Sequence, residues 1–188
     1  MRWIQDPGHG GKDSGAYAYG QMEKSWTLEA ALYVNYRLLE LGISSGLTRS
    51  RDETLVPTKR TIAVKKSGAI YCISHHFNAG GGRGAEFIHS IYADGVFEEI
   101  LRKEFEKVGM KTRRVFTRKT TNGKDYYFMH RETGRVRTTI IEYGFLDSSD
   151  YEMLKNKSFR FKLYEAVVIA ICRHDQIAYK EISEMPTY

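Results

Sequence analysis

Ala69-Ile70-Tyr71-Cys72-Ile73-Ser74 is the stretch on which the fold turns. Its apolar residues run almost without a break, as in a strand buried on both faces rather than one with a wet side. Such strands belong to parallel sheets covered by helices, so helical patterns should lie on either side of it in the chain. Upstream, Pro57 suits the first turn of a helix that runs to about Lys66 and stops at Ser67-Gly68. Further back, Trp26, Ala30, Tyr33, Val34, Leu38 and Leu41 recur at three- and four-residue spacing, which predicts a helix from Glu23 to Leu41 ended by Gly42. Ile43 to Thr48 reads as a short strand. Downstream, Ala85 to Ile91, Arg113 to Arg118 and Val136 to Tyr143 read as strands. Asp94 is placed to cap a helix carrying Val96, Phe97, Ile100, Leu101, Phe105 and Val108. Ser148 or Ser149 starts a short helix, and Ser158 caps a last one with Phe161, Tyr164, Val167, Val168 and Ile171 on one face. His75 to Gly84 and Lys119 to Gly134 read as loops, the second polar and without an amphipathic helical pattern. The expectation is a single-domain α/β three-layer sandwich, a mostly parallel sheet with helices on both faces. Residues 1–178 form the domain and 179–188 a tail or the start of a linker.

At 188 residues the chain is long enough for one proper core. No apolar run approaches the ~20 residues of a membrane span, so no membrane insertion is expected. Cys72 and Cys172 sit in apolar segments and read as small buried hydrophobes of a reduced protein, not as a disulfide scaffold. The net charge is +6, with basic residues dense between Lys103 and Arg137. That favours an anionic partner. No nucleic-acid motif accompanies the charge, and no nucleic acid is expected to bind.

Open α/β sheets hold ligands beyond the carboxyl ends of their strands. Met1 to Gln5 is bulky and apolar and leads into Asp6-Pro7-Gly8-His9-Gly10-Gly11-Lys12-Asp13. Glycines around His9 clear Cβ atoms from a turn and leave one imidazole in the open space. His75-His76 follows the buried strand. Glu142 lies near the end of the strand from Val136, inside the apolar run Thr139-Ile140-Ile141-Glu142-Tyr143, where a carboxylate costs free energy unless it is paired or metal-linked. Glu23 opens the first long helix. Two imidazoles, a carboxylate ligand and a further carboxylate are the parts of a hydrolytic zinc site, which keeps one position for water. Residue types alone leave open which histidine of the pair takes part.

Taken in order, Asp6 to Ala16, Glu23, Thr48-Arg49, Ser74-His75-His76-Phe77-Asn78-Ala79 and Glu142-Tyr143-Gly144-Phe145-Leu146 resemble the zinc-dependent N-acetylmuramoyl-L-alanine amidases of the amidase type 3 group. The resemblance runs from Ile4 to about Cys172. It implies one Zn²⁺ per chain on His9, Glu23 and His76, with Glu142 in catalysis and His75 turned to the opposite side of an extended segment. The implied reaction is hydrolysis of the amide between N-acetylmuramic acid and L-alanine, and the implied partner is bacterial peptidoglycan, met as a monomer. Glu86 is expected to be structural or to support the site and Asn78 to orient a ligand or meet substrate, while His89, His130 and His174 are structural or exposed. The lack of a visible signal peptide, the short domain and the tail suggest a phage or prophage endolysin, held in the host cytoplasm until lysis. A sporulation or autolytic amidase is the alternative within the class. A non-catalytic basic module that binds wall or nucleic acid is the alternative outside it.

Overall fold

The computed structural model describes residues 1–182. The expected tail lies mostly outside them; Tyr179 and Ile182, within them, pack against the main core. The chain runs β1 (Trp3–Pro7), the hairpin β2 (Tyr17–Ala18) and β3 (Gln21–Met22), α1 (Glu23–Glu40), β4 (Ser45–Leu47), α2 (Pro57–Lys66) and β5 (Tyr71–Asn78). It continues through β6 (Ala85–His89), α3 (Val96–Lys107), β7 (Thr112–Phe116), α4 (Phe128–Arg131), β8 (Arg137–Phe145), α5 (Tyr151–Leu154) and α6 (Lys157–Asp175). The main sheet has six strands in the order β4-β1-β5-β8-β6-β7. β4, β1, β5 and β8 are parallel; β6 runs antiparallel to β8 and parallel to β7.

Alternation along each strand divides its side chains between two cores. Trp3, Ile73, Phe87 and Ile141 face one way, into the larger core with residues of α1, α3 and α6. Ile4, Cys72, Ile88 and Ile140 face the other, against Val64 of α2 and Met129 of α4. The expected α/β sandwich is therefore the observed one, and the apolar run at Tyr71–Ser74 is its inner strand. α1 buries Trp26, Ala30, Tyr33, Val34 and Leu38, the residues that the spacing picked out.

Local boundaries differ where polar side chains carry them. β5 does not end at Ser74 but continues through both histidines to Asn78, because β8 pairs with it that far, with a register shift between His76 and Asn78. α6 starts earlier than expected: Asn156, not Ser158, is its cap, and the Asn156 side chain accepts from the Phe159 N–H at 3.3 Å. α3 begins after Gly95 in the left-handed region (φ 73°), with the Asp94 carboxylate accepting from Val96 N–H. Within Lys119–Gly134 the chain makes one helical turn, α4.

Two buried arginines fix the turn that leaves β1. Asp6 is fully buried and accepts from Arg60, Thr48 and Ser74 at 2.6–2.7 Å. Burial alone would raise its pKa, but the Arg60 charge and these hydrogen bonds hold it below the usual carboxylate range. The same Arg60 guanidinium donates to the carbonyls of Pro7 and His9. Arg49 donates to the carbonyls of Pro7 and Gly8, and burial, then the nearby Arg60, pushes its pKa down to about 10. Removing one partner of such a pair leaves an uncompensated charge in the interior. Arg60→Met is accordingly expected to cost about 3–5 kcal/mol of stability in urea denaturation, a larger loss than at any exposed arginine; a change within experimental error would show that the pair does not hold this turn.

Candidate metal centre and active site

β1, β5 and β8 are adjacent and parallel, so their carboxyl ends deliver His9, His76 and Glu142 to one edge. Gly8 N–H continues the ladder, donating to the His75 carbonyl at 3.0 Å. A Cβ on Gly8 would lie within 3 Å of three atoms of the His76 ring, which is why the position has none. His9 then turns into the left-handed region (φ 57°), a strained conformation for a residue with a Cβ. Its Nδ1 lies 2.9 Å from Asp13 Oδ2 and its Nε2 3.0 Å from Glu23 Oε2. His76 Nδ1 lies 2.9 Å from Glu23 Oε1. Glu23, on the first turn of α1, is gripped from behind: Ala16 N–H donates to Oε2 at 2.8 Å and Phe77 N–H to Oε1 at 3.0 Å. The two imidazoles meet edge to face, their centroids 5.0 Å apart.

One atom each from His9, Glu23 and His76 all fall within 4.8 Å of one another, so the three can hold a metal ion. Two imidazole nitrogens and a carboxylate oxygen suit a divalent ion of intermediate softness. The charges agree. Burial would raise the Glu23 pKa, but hydrogen bonds and charge from His76 and His9 hold it well below the usual range. Burial lowers His9, yet Glu23 and Asp13 together raise it. Asp13 on the far nitrogen of His9 is the arrangement that fixes the tautomer and ring plane of a metal-binding histidine.

Glu142 is the cross-strand partner of His76 on one side and of Glu86 on the other. Glu86 is neutralised by Arg113 and by Arg114 (2.9 Å), and Asn78 Nδ2 donates to it at 3.2 Å. Glu142 has no such company, and its Oε2 is buried without a hydrogen-bond partner. Burial pushes its pKa well up, and the charges of Glu23 and Glu86 add to this. With Gly8, His9, His76, Tyr127 and Phe128 it lines a cavity of about 180 Å³.

Comparisons with known proteins give the family. The family described as N-acetylmuramoyl-L-alanine amidase matches residues 4–173. The chain belongs to this family. It is similar to "N-acetylmuramoyl-L-alanine amidase CwlM" of Bacillus licheniformis, 38% identical over 166 residues, 82% of this chain and 60% of that protein. It is also similar to the "Sporulation-specific N-acetylmuramoyl-L-alanine amidase" of Bacillus subtilis, at 32% identity with the same two coverages. Among solved structures, "Cwp6 from Clostridium difficile" superposes with a TM-score of 0.83 at 31% identity, over 90% of this chain and 28% of that one. The chain thus spans about 60% of the length of these two Bacillus relatives.

Within this member of the amidase family, His75 is no neighbour of the cluster. It is buried on the opposite face of β5, with Nδ1 2.9 Å from Tyr143 Oη and Nε2 3.1 Å from Gln5 Oε1. Burial pushes its pKa down to about 3, so it is a neutral core residue. His89, His130 and His174 also lie away from the cluster. Asp13, Arg49, Arg60 and Tyr127 were not singled out as site residues by sequence reasoning. Asp13 carried a signal, since it ends the glycine-rich turn four residues after His9.

Three substitutions probe this geometry. His76→Ala should abolish binding of titrated Zn²⁺, whereas His75→Ala should keep it and lower the melting temperature. Gly8→Ala should leave the circular dichroism spectrum unchanged and weaken Zn²⁺ by about tenfold or more, the range of losses when metal-ligand support is removed. Unaltered affinity in Gly8→Ala would mean that the His76 ring has room to move.

Proposed function

We propose that this chain hydrolyses the amide between the lactyl group of N-acetylmuramic acid and L-alanine in bacterial peptidoglycan, with one Zn²⁺ on His9, Glu23 and His76. The observation that carries this reading is Glu142: a carboxyl with an unpartnered buried oxygen, in a cavity it shares with His9 and His76. An uncompensated group of this kind costs stability, and such costs are kept where chemistry uses them. The donor set fits the ion, because two imidazoles and one carboxylate are a common zinc-hydrolase set. Zinc bound there would polarise the amide carbonyl and lower the pKa of water.

The protein's own groups supply the rest. Glu142 takes a proton from the attacking water as its oxygen joins the carbonyl carbon, then passes it to the leaving L-alanine nitrogen as the C–N bond breaks. Asp13 holds His9 in one orientation, and the amides of Ala16 and Phe77 hold Glu23, so neither of these two has to be ordered at the moment of use.

Two settings are compatible with this chemistry. The name of the Bacillus subtilis relative supports a sporulation role. Host-cell lysis by an endolysin rests on the sequence reading. Digestion of purified peptidoglycan tests the reaction in either case: new N-terminal L-alanine without new reducing sugar identifies the bond cut. A non-catalytic wall-binding module would release neither and would need no zinc.

Glu142→Gln keeps the shape and loses the proton acceptor. It should retain one zinc per chain and an unchanged melting temperature, with turnover down ~10²- to 10⁴-fold. Zinc loss with unfolding would make Glu142 a structural ligand, and near-normal turnover would remove it from the mechanism.

A further inference from the structure

The β2–β3 hairpin grows directly out of the candidate metal centre. Its base is closed by Glu23 N–H on the Ala16 carbonyl (2.9 Å) and by Ala16 N–H on the Glu23 carboxylate. Its tip is Tyr19-Gly20, and both residues have positive φ, 50° and 80°. That is the backbone of a tight two-residue hairpin turn, for which Asn-Gly is the favoured pair. A tyrosine there is strained, because its Cβ crowds the following carbonyl. Strain of this kind survives only where the surroundings impose it, and it concentrates at ligand-holding sites.

What imposes it is a ladder of rings. Phe77, next in the chain to His76 but buried in the larger core on the other face of β5, lies 5.3 Å from Trp26. Trp26 stacks on Tyr151 at 6.1 Å and an interplanar angle of 22°. Tyr151 in turn lies 4.6 Å from Tyr19, and its hydroxyl donates to the Tyr19 carbonyl at 3.4 Å. The inner rungs are fixed in the core, so the outermost is held from below. Tyr19 nevertheless stays 67% exposed, and Tyr17 on the same hairpin 66%. The hairpin that leads into Glu23 thus carries two solvent-facing rings, and the one on the strained backbone, Tyr19, is held from below by Tyr151.

Their chemistry selects among the parts of the substrate. Tyr17 to Met22 carries no charged residue. The outer strands of the sheet, by contrast, place Arg113 and Arg114 next to Glu86, the cross-strand neighbour of Glu142. Peptidoglycan joins a strand of uncharged N-acetylated sugars, whose rings have apolar C–H faces, to short peptides that bear carboxylates. Neutral aromatic rings match the first, and they bind with little loss of side-chain freedom. Guanidinium groups match the second. We propose that Tyr17 and Tyr19 form a stacking platform for the glycan strand beside the scissile amide. This inference rests on the amidase reading above.

The test uses N-acetylglucosamine tetramer, a glycan without peptide, titrated into the zinc-loaded protein. Tyr19→Asn removes the ring and places the preferred residue at the turn, so its melting temperature should hold or rise. Its affinity for the tetramer should fall about tenfold, the factor for ~1.4 kcal/mol, while Tyr19→Phe retains it. On peptidoglycan, Tyr19→Asn should raise KM with kcat and zinc content retained. Equal tetramer binding by wild type and Tyr19→Asn, or no binding by wild type, would overturn the platform. So would a sugar-free stem peptide whose binding, rather than that of the tetramer, depends on Tyr19. The two readings fail separately. A protein that binds tetramer through Tyr19 but cuts nothing keeps the platform and loses the amidase; one that cuts peptidoglycan with the same KM after Tyr19→Asn does the reverse.

Discussion

The buried contact between Asp6 and Arg60 sets the position of everything at the working edge of the sheet. Taking a carboxylate and a guanidinium out of water is costly, and the attraction between them offsets that cost only if the remaining donors and acceptors are also satisfied. Here they are: Thr48 and Ser74 complete Asp6, and backbone carbonyls of the turn complete Arg60. The carbonyls chosen are those of Pro7 and His9, so the ion pair grips the backbone that carries the first imidazole. Arg49 adds a second grip on Pro7 and Gly8. A turn with a histidine at φ 57° and glycines at Gly8, Gly10 and Gly11 would otherwise have many alternatives. The arginines remove them, and this is how a strained residue persists in a stable fold.

A row of three side chains then crosses the sheet: His76, Glu142, Glu86. Their environments diverge sharply over two strand spacings. Glu86 pairs with two arginines and accepts a hydrogen bond from an asparagine. His76 leans on a carboxylate that is itself held by backbone amides. Glu142, between them, has an oxygen left unsatisfied. Removing solvent and partners from Glu142, beside the charges of Glu23 and Glu86, is what raises its proton affinity. The fold spends some stability at Glu142 and recovers it in the pairs around it.

Much of this was legible in the chain, and the reasons are specific. The run at Tyr71–Ser74 announced a doubly covered strand because nothing polar interrupts it, and α1 announced itself through Trp26, Ala30, Tyr33, Val34 and Leu38. The continuation of β5 through His75 to Asn78 was hidden, since polar residues there are used for hydrogen bonds and the cluster rather than for packing. Pairing with β8 imposes the strand, and pairing partners are not visible in a local window. The histidines told apart by the resemblance are told apart physically by alternation alone: one faces Gln5 and Tyr143, the next faces Glu23. Arg60 looked like one more cation on a helix, because its partner lies 54 residues away. The hairpin at Tyr17–Met22 lacks the asparagine that usually marks such a turn.

The two outermost strands have a bearing on how the molecule meets others of its kind. An edge strand offers unpaired N–H and C=O groups to any chain that can lie beside it. One border of this sheet, β4, has three residues, one of them Gly46, too short a template to recruit a neighbour. The other, β7, bears Arg113 and Arg114 in its middle. Two such strands brought side by side would set like charges close together, which disfavours edge-to-edge growth. The sheet is therefore open in topology, while both of its edges disfavour edge-to-edge pairing.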